Sequence, residues 1–356
     1  MLARYECDKA LIPASILKTV TCATALEKLG PDFRFNTAFK IIGDNPQSGE
    51  GDLVVFAGAD PTTGSREFKE SIHLPDSIVA ALSEQGISFI KGDIRINGDI
   101  LPEGGGVLGE WEVEDISESY GVGLYPFNWL DNYFESDYVI PSPPEYFVEQ
   151  LLETMAAADF GVEENDYDAQ ETLQPDTLTV YEHTSSTLKE IMHSLMVRSD
   201  NLMAEGVFRA LAPYAVRDSA ISIVKNYWNG KGIHMDNMRL IDGSGLARGN
   251  TISAYTIGKI LTRMAKSPHA KDYVSLFPKA GREGTVKRLL AKTRLEGRMA
   301  IKSGTMKGVH CYAGYLLKGN ALQPTHTVVI MVNNFYCARS QLRKAIENYL
   351  LNTLPK

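Results

Sequence analysis

A serine and a lysine stand three residues apart near the start of the chain, in the segment IPASILKTVT (12–21). A serine hydroxyl becomes a nucleophile when a neighbouring base takes its proton, and lysine can act as that base once burial lowers its pKa. Residues three apart share one face of a helix, so Ser15 and Lys18 can meet if the segment is helical. The pair indicates acyl transfer through a covalent serine ester.

The chain contains a second Ser-x-x-Lys, formed by Ser186 and Lys189. Ser186 stands at the polar start of a predicted helix, where a serine is typical of an N-cap and the lysine can face water. Ser15 instead opens a long helix with an apolar stripe, which would bury the lysine. We therefore take Ser15 and Lys18 as the candidate catalytic pair.

Two further segments carry hydroxyl and amine groups. Ser199-Asp200-Asn201 lies between two predicted helices, and Lys302-Ser303-Gly304-Thr305 lies on a predicted strand. Each has a structural explanation by itself, a helix N-cap in one case and a strand end with a turn glycine in the other. Together with Ser15 and Lys18 they form Ser-x-x-Lys, Ser-x-Asn and Lys-[Ser/Thr]-Gly, which is the ordered signature of the serine penicillin-recognising enzymes.

The surrounding elements predict where these motifs lie. Apolar residues recur at helical spacing from Ser15 to Leu29, between Pro13 and Gly30. Strands dominate from about 35 to 181, with helices near 75–86 and 145–161 and a long acidic loop near 101–123. Helices return after 182, followed by three strands and a last helix. The order predicts an α/β (α+β) fold in which a catalytic domain, 1–34 and 182–356, is interrupted by a β-rich domain, 35–181.

The sequence resembles the low-molecular-mass class C penicillin-binding proteins, the D-alanyl-D-alanine carboxypeptidase/endopeptidases of peptidase family S13. The likeness runs from about Leu11 to Asn333, and five segments carry it: IPASILKTVT, GDLVVFAGADPTTGS, GEWEVED, LIDGSGLARGN and AIKSGTMKGVHCYAGYL. The resemblance implies a penicillin-binding-protein/β-lactamase-like transpeptidase domain, an antiparallel sheet flanked by helices, with an inserted domain II.

Some positions depart from the family pattern. The third motif reads Lys-Ser-Gly where the family usually has Lys-Thr-Gly, and Ala247 stands where it often has serine. The gap between the first two motifs is short, so we expect a nested third domain to be reduced or absent. Only fourteen residues precede Ser15, so we expect the family's N-terminal strand and helix to be truncated.

The resemblance also implies roles for individual residues. Ser15 would attack the carbonyl carbon of the penultimate D-Ala with Lys18 as base, while backbone amides of Ser15 and Thr305 form the oxyanion hole. Ser199 and Lys302 would pass a proton to the leaving amine, and Asn201 would hold the substrate amide. The expected substrate-binding residues are Ser303, Gly304 and Thr305, beside the Lys302 charge, and, for a diaminopimelate side chain, Asp115, Arg248 and Met306. A solvated loop acid remains the alternative for Asp115, and a brace of the DGSG turn the alternative for Arg248.

Composition and charge bound the class of protein. The net charge of −8 argues against a nucleic-acid partner, and the sequence has neither a transmembrane run nor a signal peptide. The four cysteines are scattered and expected to be free thiols, and the seven histidines show no metal-binding spacing, so neither metal nor cofactor is expected. The family implies peptidoglycan stem peptides as substrate, β-lactams as inhibitors and a periplasmic or otherwise extracytoplasmic site. The oligomeric state stays open.

Two other functions remain compatible with these residues. A β-lactamase or esterase of the same fold would differ only in how fast its acyl-enzyme is hydrolysed. A non-catalytic protein that binds peptidoglycan or β-lactams would fit the short N-terminus. The intact set of three motifs favours the enzyme.

Overall fold

The computed structural model describes residues 2–163, 176–319 and 321–355. Its α-helices are α1 Lys18–Leu29, α2 Leu74–Glu84, α3 Val113–Ile116, α4 Pro143–Ala157, α5 Leu188–Arg198, α6 Asn201–Arg209, α7 Arg217–Gly230, α8 Ala254–Met264, α9 Ala270–Ser275 and α10 Arg339–Thr353. Its strands are β1 Ala10–Leu11, β2 Asn36–Asn45, β3 Glu50–Phe56, β4 Phe89–Lys91, β5 Ile94–Asn97, β6 Gly161–Glu163, β7 Asp176–Thr184, β8 Ile252–Ser253, β9 Met299–Met306, β10 Val309–Leu317 and β11 Pro324–Asn333.

An antiparallel sheet with the order β11-β10-β9 carries the third motif. Every residue of β10 is buried, because helices cover both faces of the sheet. On one face α1 and α8 belong to the large core cluster that includes Tyr315, and on the other Ile346 and Leu350 of α10 pack with Tyr312. The expected antiparallel sheet flanked by helices is therefore confirmed.

A second sheet is built by the middle of the chain, in the order β6-β4-β3-β2-β7 with β5 paired to β3. Its apolar face packs against α2 and α4 in a core cluster of its own, which includes Phe39 and Phe147. The strand β7 continues three residues past the expected boundary at residue 181, to Thr184, which pairs with Asn36 at the start of β2. Residues 164–175 of the predicted domain lie outside the described ranges.

The segment around Ser15 differs from the predicted single helix. Residues Ala14–Leu17 form one 3₁₀ turn, and the α-helix begins only at Lys18. Ala14 has a φ of 47°, in the left-handed region that non-glycine residues seldom adopt. The helix ends at Gly30, with a φ of 82°, where the sequence predicts its end. Ser15 therefore lies in a sharply bent turn and not in the first α-helical turn.

The helix α7 is absent from the sequence prediction. Its buried residues Ala220, Val224 and Trp228 recur every four residues, and the Trp228 indole donates to the hydroxyl of Thr24 on α1 at 2.9 Å. The contact anchors α7 against the helix that follows Ser15.

Candidate active site

The 3₁₀ turn brings the lysine of the first motif onto its serine. In this tighter helix the side chains at i and i+3 eclipse each other, and Lys18 Nζ lies 3.1 Å from Ser15 Oγ. Ser15 is half-buried and lines a cleft, whereas Lys18 is completely buried. The hydroxyl therefore meets solvent while the amine beneath it does not.

Two glycines let neighbouring segments approach the backbone of this turn. A Cβ on Gly304 of β9 would lie 2.7 Å from the carbonyl oxygen of Pro13 and 3.0 Å from the amide nitrogen of Ser15. A Cβ on Gly245 would lie 2.2 Å from the carbonyl oxygen of Ala14. Only glycine permits such contacts, because real Cβ atoms do not approach backbone atoms so closely. The Ser15 turn is thus held between β9 and the DGSG loop.

Lys18 makes two further hydrogen bonds. Its Nζ donates to Oδ1 of Asn201 at 2.5 Å and to the carbonyl oxygen of Ser244 at 2.8 Å. Burial lowers the pKa of Lys18 to about 8, although the nearby carboxylates of Asp242 and Glu205 act in the opposite direction. The amine is therefore close to a pKa at which it can take a proton near neutral pH.

The loop that supplies the Ser244 carbonyl is held by two buried carboxylates that the sequence analysis does not assign. Asp242 accepts from the amides of Gly245 and Ala247, at 2.8 and 2.6 Å, and from the Trp111 indole at 3.0 Å. Glu205 of α6 accepts from the amide of Ser244 at 2.7 Å. Burial, followed by the charge of Asp242, raises the pKa of Glu205 to about 7.

In the sequence, the segment DGSG (242–245) marks this loop. It carries one of these carboxylates, and the Glu205 carboxylate reaches it only through the packing of α6. A helix residue 39 positions before Ser244 gives no local indication of that contact.

The second and third motifs meet across the cleft. Ser199, with a φ of 67°, ends α5, and its Oγ accepts from Lys302 Nζ at 2.8 Å. Lys302 also donates to the carbonyl oxygen of Ser303 at 2.7 Å. Burial, and then the positive charge of Lys18, holds the pKa of Lys302 well below its usual value. Complete burial favours the neutral amine, so the Lys302 charge expected beside the substrate carboxylate is not supported by this environment.

The side chains of Asp200 and Asn201 form hydrogen bonds to other residues of the chain. Asp200 is the N-cap of α6 and accepts from the amide of Met203 at 2.9 Å, so the capping explanation holds for this residue. The Asn201 amide accepts from Lys18 and donates to the carbonyl oxygen of Tyr120 at 2.7 Å. Both ends of this amide are engaged, which makes Asn201 a link between Lys18 and the Tyr120 loop.

The hydroxyls after Lys302 have partners that the sequence analysis does not identify. Ser303 Oγ and Thr285 Oγ1 are 2.7 Å apart, and Thr305 Oγ1 lies 3.0 Å from His310 Nδ1. The other ring nitrogen of His310 lies 2.9 Å from the Tyr312 hydroxyl. Burial lowers the pKa of His310 to about 4, and the charges of Arg339 and Arg343 act in the same direction. His310 is thus neutral at neutral pH and orients the Thr305 hydroxyl.

The cleft above Ser15 has a volume of about 820 Å³. It collects most of the residues singled out in the sequence, namely Ser15, Ser199, Asn201, Thr305, Asp115, Arg248 and Met306. Lys18 and Lys302 lie buried beneath it, Gly304 backs the Ser15 turn, and Ser303 lines an adjoining cavity.

The residues expected to contact a diaminopimelate side chain, Asp115, Arg248 and Met306, all line this cleft. Asp115 of α3 is half-buried and accepts from the Tyr120 hydroxyl at 2.9 Å, while Arg248 donates to the carbonyl oxygen of Lys307 at 3.2 Å. Arg248 therefore does not brace the DGSG turn, which Asp242 and Glu205 hold. The two side chains carry opposite charges and face the same cleft.

The second Ser-x-x-Lys does not form a pair. Thr187, and not Ser186, is the N-cap of α5, because its hydroxyl accepts from the amide of Glu190. Lys189 Nζ instead donates to Oδ1 of Asp272 at 2.7 Å. The predicted capping role of Ser186 is wrong by one residue, since the capping box forms with Thr187 and Glu190.

Clusters of possible metal ligands, helices able to span a membrane and disulfides are all absent from the described part of the chain. Within residues 2–163, 176–319 and 321–355, no group of three or more His, Cys, Asp or Glu side chains could hold a metal ion. None of the helices in the same ranges is both long and apolar enough to cross a membrane. Cys7, Cys22, Cys311 and Cys337 are free thiols.

Comparison with known proteins shows the family of the chain. The model of the D-Ala-D-Ala carboxypeptidase 3 (S13) family matches residues 1–143 and 138–352. The chain belongs to this family. The S13 chain is 24% identical over 389 residues to the D-alanyl-D-alanine carboxypeptidase DacB of Haemophilus influenzae, covering 89% of this chain and 79% of that protein.

Solved structures share the fold of this S13 chain. The crystal structure of penicillin binding protein 4 from Haemophilus influenzae superposes with a TM-score of 0.82 at 21% identity, covering 98% of this chain and 92% of that one. A second structure of that protein, complexed with a β-lactam, gives a TM-score of 0.74 at 22% identity, with the same coverage. The fold class expected from the sequence is the fold that this family member has.

Proposed function

We propose that this S13 protein is a serine D-alanyl-D-alanine carboxypeptidase that acts on peptidoglycan stem peptides through an ester on Ser15 and is acylated there by β-lactams. The observation that carries the proposal is the completely buried Lys18 amine, 3.1 Å from the Ser15 hydroxyl at the wall of the cleft. The names of its relatives, a D-alanyl-D-alanine carboxypeptidase and a penicillin binding protein, support the same reaction class.

In the proposed acylation, Ser15 Oγ bonds to the carbonyl carbon of the penultimate D-Ala while Lys18 Nζ takes the hydroxyl proton. The carbonyl electrons move to oxygen, where amide groups of Ser15 and Thr305 would stabilise the charge, each by about 3 kcal/mol. The carbon–nitrogen bond then breaks. The leaving amine receives a proton from Ser199, which regains one from Lys302 along their hydrogen bond. The proton that Lys18 took from Ser15 then returns Lys302 to its neutral form.

Hydrolysis of the ester completes the cycle. Water attacks the same carbonyl carbon, a lysine amine takes its proton, and Ser15 recovers its hydroxyl hydrogen as the acid leaves. Ser199 and Lys302 are suited to the proton transfer because the lysine pKa is held low by burial. Asn201 acts as a positioning residue, since its amide fixes Lys18 through a 2.5 Å hydrogen bond.

Substrate binding would use the two sides of the cleft. The hydroxyls of Ser303 and Thr305 suit the carboxylate of the terminal D-Ala. Asp115 and Arg248 offer a negative and a positive charge to the ammonium and carboxylate of a diaminopimelate side chain, with Met306 beside them. The bridge from the Tyr120 hydroxyl to Asp115 sets where that carboxylate points.

The proposal also covers the compartment in which the protein works and its division into domains. Because the substrate is a component of peptidoglycan, the protein would work in the periplasm or elsewhere outside the cytoplasm. We also propose that the inserted domain, expected over 35–181, extends to about 184, that its nested third domain is reduced or absent, and that the residues on either side form the catalytic domain. The separate core cluster of the six-stranded sheet supports this division.

The proposal is tested by incubating the purified chain with a penicillin and mapping the mass adduct by peptide analysis. We expect one adduct per chain on Ser15, absent in Ser15→Ala and retained in Ser186→Ala, the matched control for the second Ser-x-x-Lys. Release of D-Ala from a peptide that ends in D-Ala–D-Ala should vanish with the same variant. A folded chain with no adduct would contradict the proposal, and rapid turnover of the penicillin without D-Ala release would favour a β-lactamase.

A further inference from the structure

A second cavity of about 370 Å³ adjoins the cleft and is lined by Ser303 and Thr305, where the proposed function places the leaving D-Ala. Ser15, Ser199 and Thr305 line both cavities, so the two spaces communicate at the reactive serine. The cavity is far larger than the methyl side chain of the D-Ala that a carboxypeptidase releases. It therefore has room for a larger leaving group.

The charge of this second cavity is strongly positive. Four cationic side chains line it, namely Lys287, Arg288, Arg339 and Arg343. We call the cavity with these four side chains the basic chamber. Thr285, Ser303 and His310 supply its polar surface, and no acidic residue lines it. Such a lining favours an anionic ligand, since arginine side chains pair with carboxylates through two parallel hydrogen bonds.

The four cations keep their charges available. Among the residues that the structure describes, none of the four has a carboxylate oxygen within 4.0 Å, although twelve ion pairs of other lysine or arginine side chains occur in that part of the chain. Glu347, one turn along α10 from Arg343, accepts instead from the amide of Leu290 at 2.8 Å. The protein thus gathers positive charge here without neutralising it.

The N-terminus of helix α10 adds to the positive potential of the basic chamber. Arg339 is its first residue, and the first turn contains no acidic side chain to offset the positive end of the helix dipole. A cation in that position is unfavourable for the helix alone, and an anion in the chamber would compensate for it. The lowered pKa of His310 reports the same potential, because Arg339 and Arg343 contribute to it.

We propose that the basic chamber is a binding subsite for leaving groups that carry a second carboxylate on their side chain. The first carboxylate of the leaving amino acid would lie at the Ser303 and Thr305 hydroxyls, and the second would reach Arg288 and Arg343. This inference rests on the proposed function and names a substrate class for it. The enzyme would then release acidic amino acids or acidic peptide branches in preference to D-Ala alone.

The test uses peptides with one acyl part and different terminal residues: D-Ala–D-Glu, D-Ala–D-Gln and D-Ala–D-Lys. D-Glu and D-Gln have nearly the same shape, so the ratio of their kcat/KM values isolates the charge. At low ionic strength we expect a D-Glu to D-Gln ratio of about ten, which corresponds to about 1.4 kcal/mol, and a D-Lys rate below both. Added salt should reduce the ratio, because it screens charges at an open cavity.

Variants locate the effect. Arg288→Gln and Arg343→Gln should each move the D-Glu to D-Gln ratio toward one. Arg263→Gln is the matched control, an exposed arginine on α8 that lines neither cavity, and should keep the wild-type ratio. A wild-type ratio of one or less, or a ratio that neither chamber variant changes, would overturn the proposal.

Penicillin labelling separates this inference from the proposed function. A penicillin carries one carboxylate beside its leaving amine and no second one for the chamber, so its adduct on Ser15 reports the nucleophile and not the subsite. Labelling without a D-Glu preference would overturn only the subsite, whereas loss of labelling in the folded wild-type chain would overturn the proposed function itself.

Discussion

In the proposed mechanism Lys18 must be neutral to take the Ser15 proton, so the acylation rate should rise with pH. Burial lowers the pKa of Lys18 to about 8. With that value about a tenth of the chains carry the neutral amine at pH 7 and about nine-tenths at pH 9. The second-order rate constant for acylation by a penicillin should therefore increase about tenfold between these pH values.

The substitution Glu205→Gln tests the cause of that pKa. The Glu205 carboxylate raises the pKa of Lys18, second only to Asp242 among the charged groups, so its removal should lower the midpoint of the pH profile. A midpoint one unit lower would raise the neutral fraction at pH 7 from about a tenth to about a half. Because the pKa of Glu205 is itself about 7, about half of the wild-type chains already lack its charge at pH 7. The variant should then acylate up to about twice as fast as wild type at pH 7, with little difference at pH 9.

The assay is the penicillin adduct measured by mass spectrometry at short times across pH 6–10. The penicillin carboxylate is ionised throughout this range, so the profile reports the enzyme. Glu84→Gln, which changes an exposed glutamate at the end of α2, is the matched control and should reproduce the wild-type midpoint. A rate that is flat or falls between pH 7 and 9, or a Glu205→Gln midpoint at or above that of wild type, would refute the reasoning.

Three further predictions concern the supports of the site. Gly304→Ala should slow acylation at least about a hundredfold, because the added Cβ would meet backbone atoms of the Ser15 turn. Gly109→Ala, which has open space around it, is the control and should keep the wild-type rate. Equal rates for the two variants would contradict the packing argument. Asp242→Asn should lower the free energy of unfolding by about 2–4 kcal/mol, measured by denaturant titration, because buried donors lose their charged acceptor; a cost near zero would be inconsistent with this role. The ring signals of His310 in NMR spectra should titrate near pH 4, and a midpoint near 6.5 would show that burial and the arginines do not act as described.

The motifs themselves could be found from the sequence because their residue types and order are chemical requirements. The residue types and their order alone single out Ser15, Lys18, Ser199 and Lys302 as the proposed catalytic residues. The helices and strands that carry them follow from apolar spacing and from Pro and Gly signals. The start of α1 was misplaced by three residues, because hydrophobic spacing does not distinguish a 3₁₀ turn from an α-helical one.

Tertiary structure alone decided how these groups act. The pKa values of Lys18 and Lys302 depend on complete burial, which arises from segments far apart in the chain. The Glu205 carboxylate reaches the DGSG loop, and Arg343 the leaving-group side, only after α6 and α10 have packed. Local sequence records the chemistry that each residue can perform, whereas distance, burial and charge between remote residues determine whether it does so.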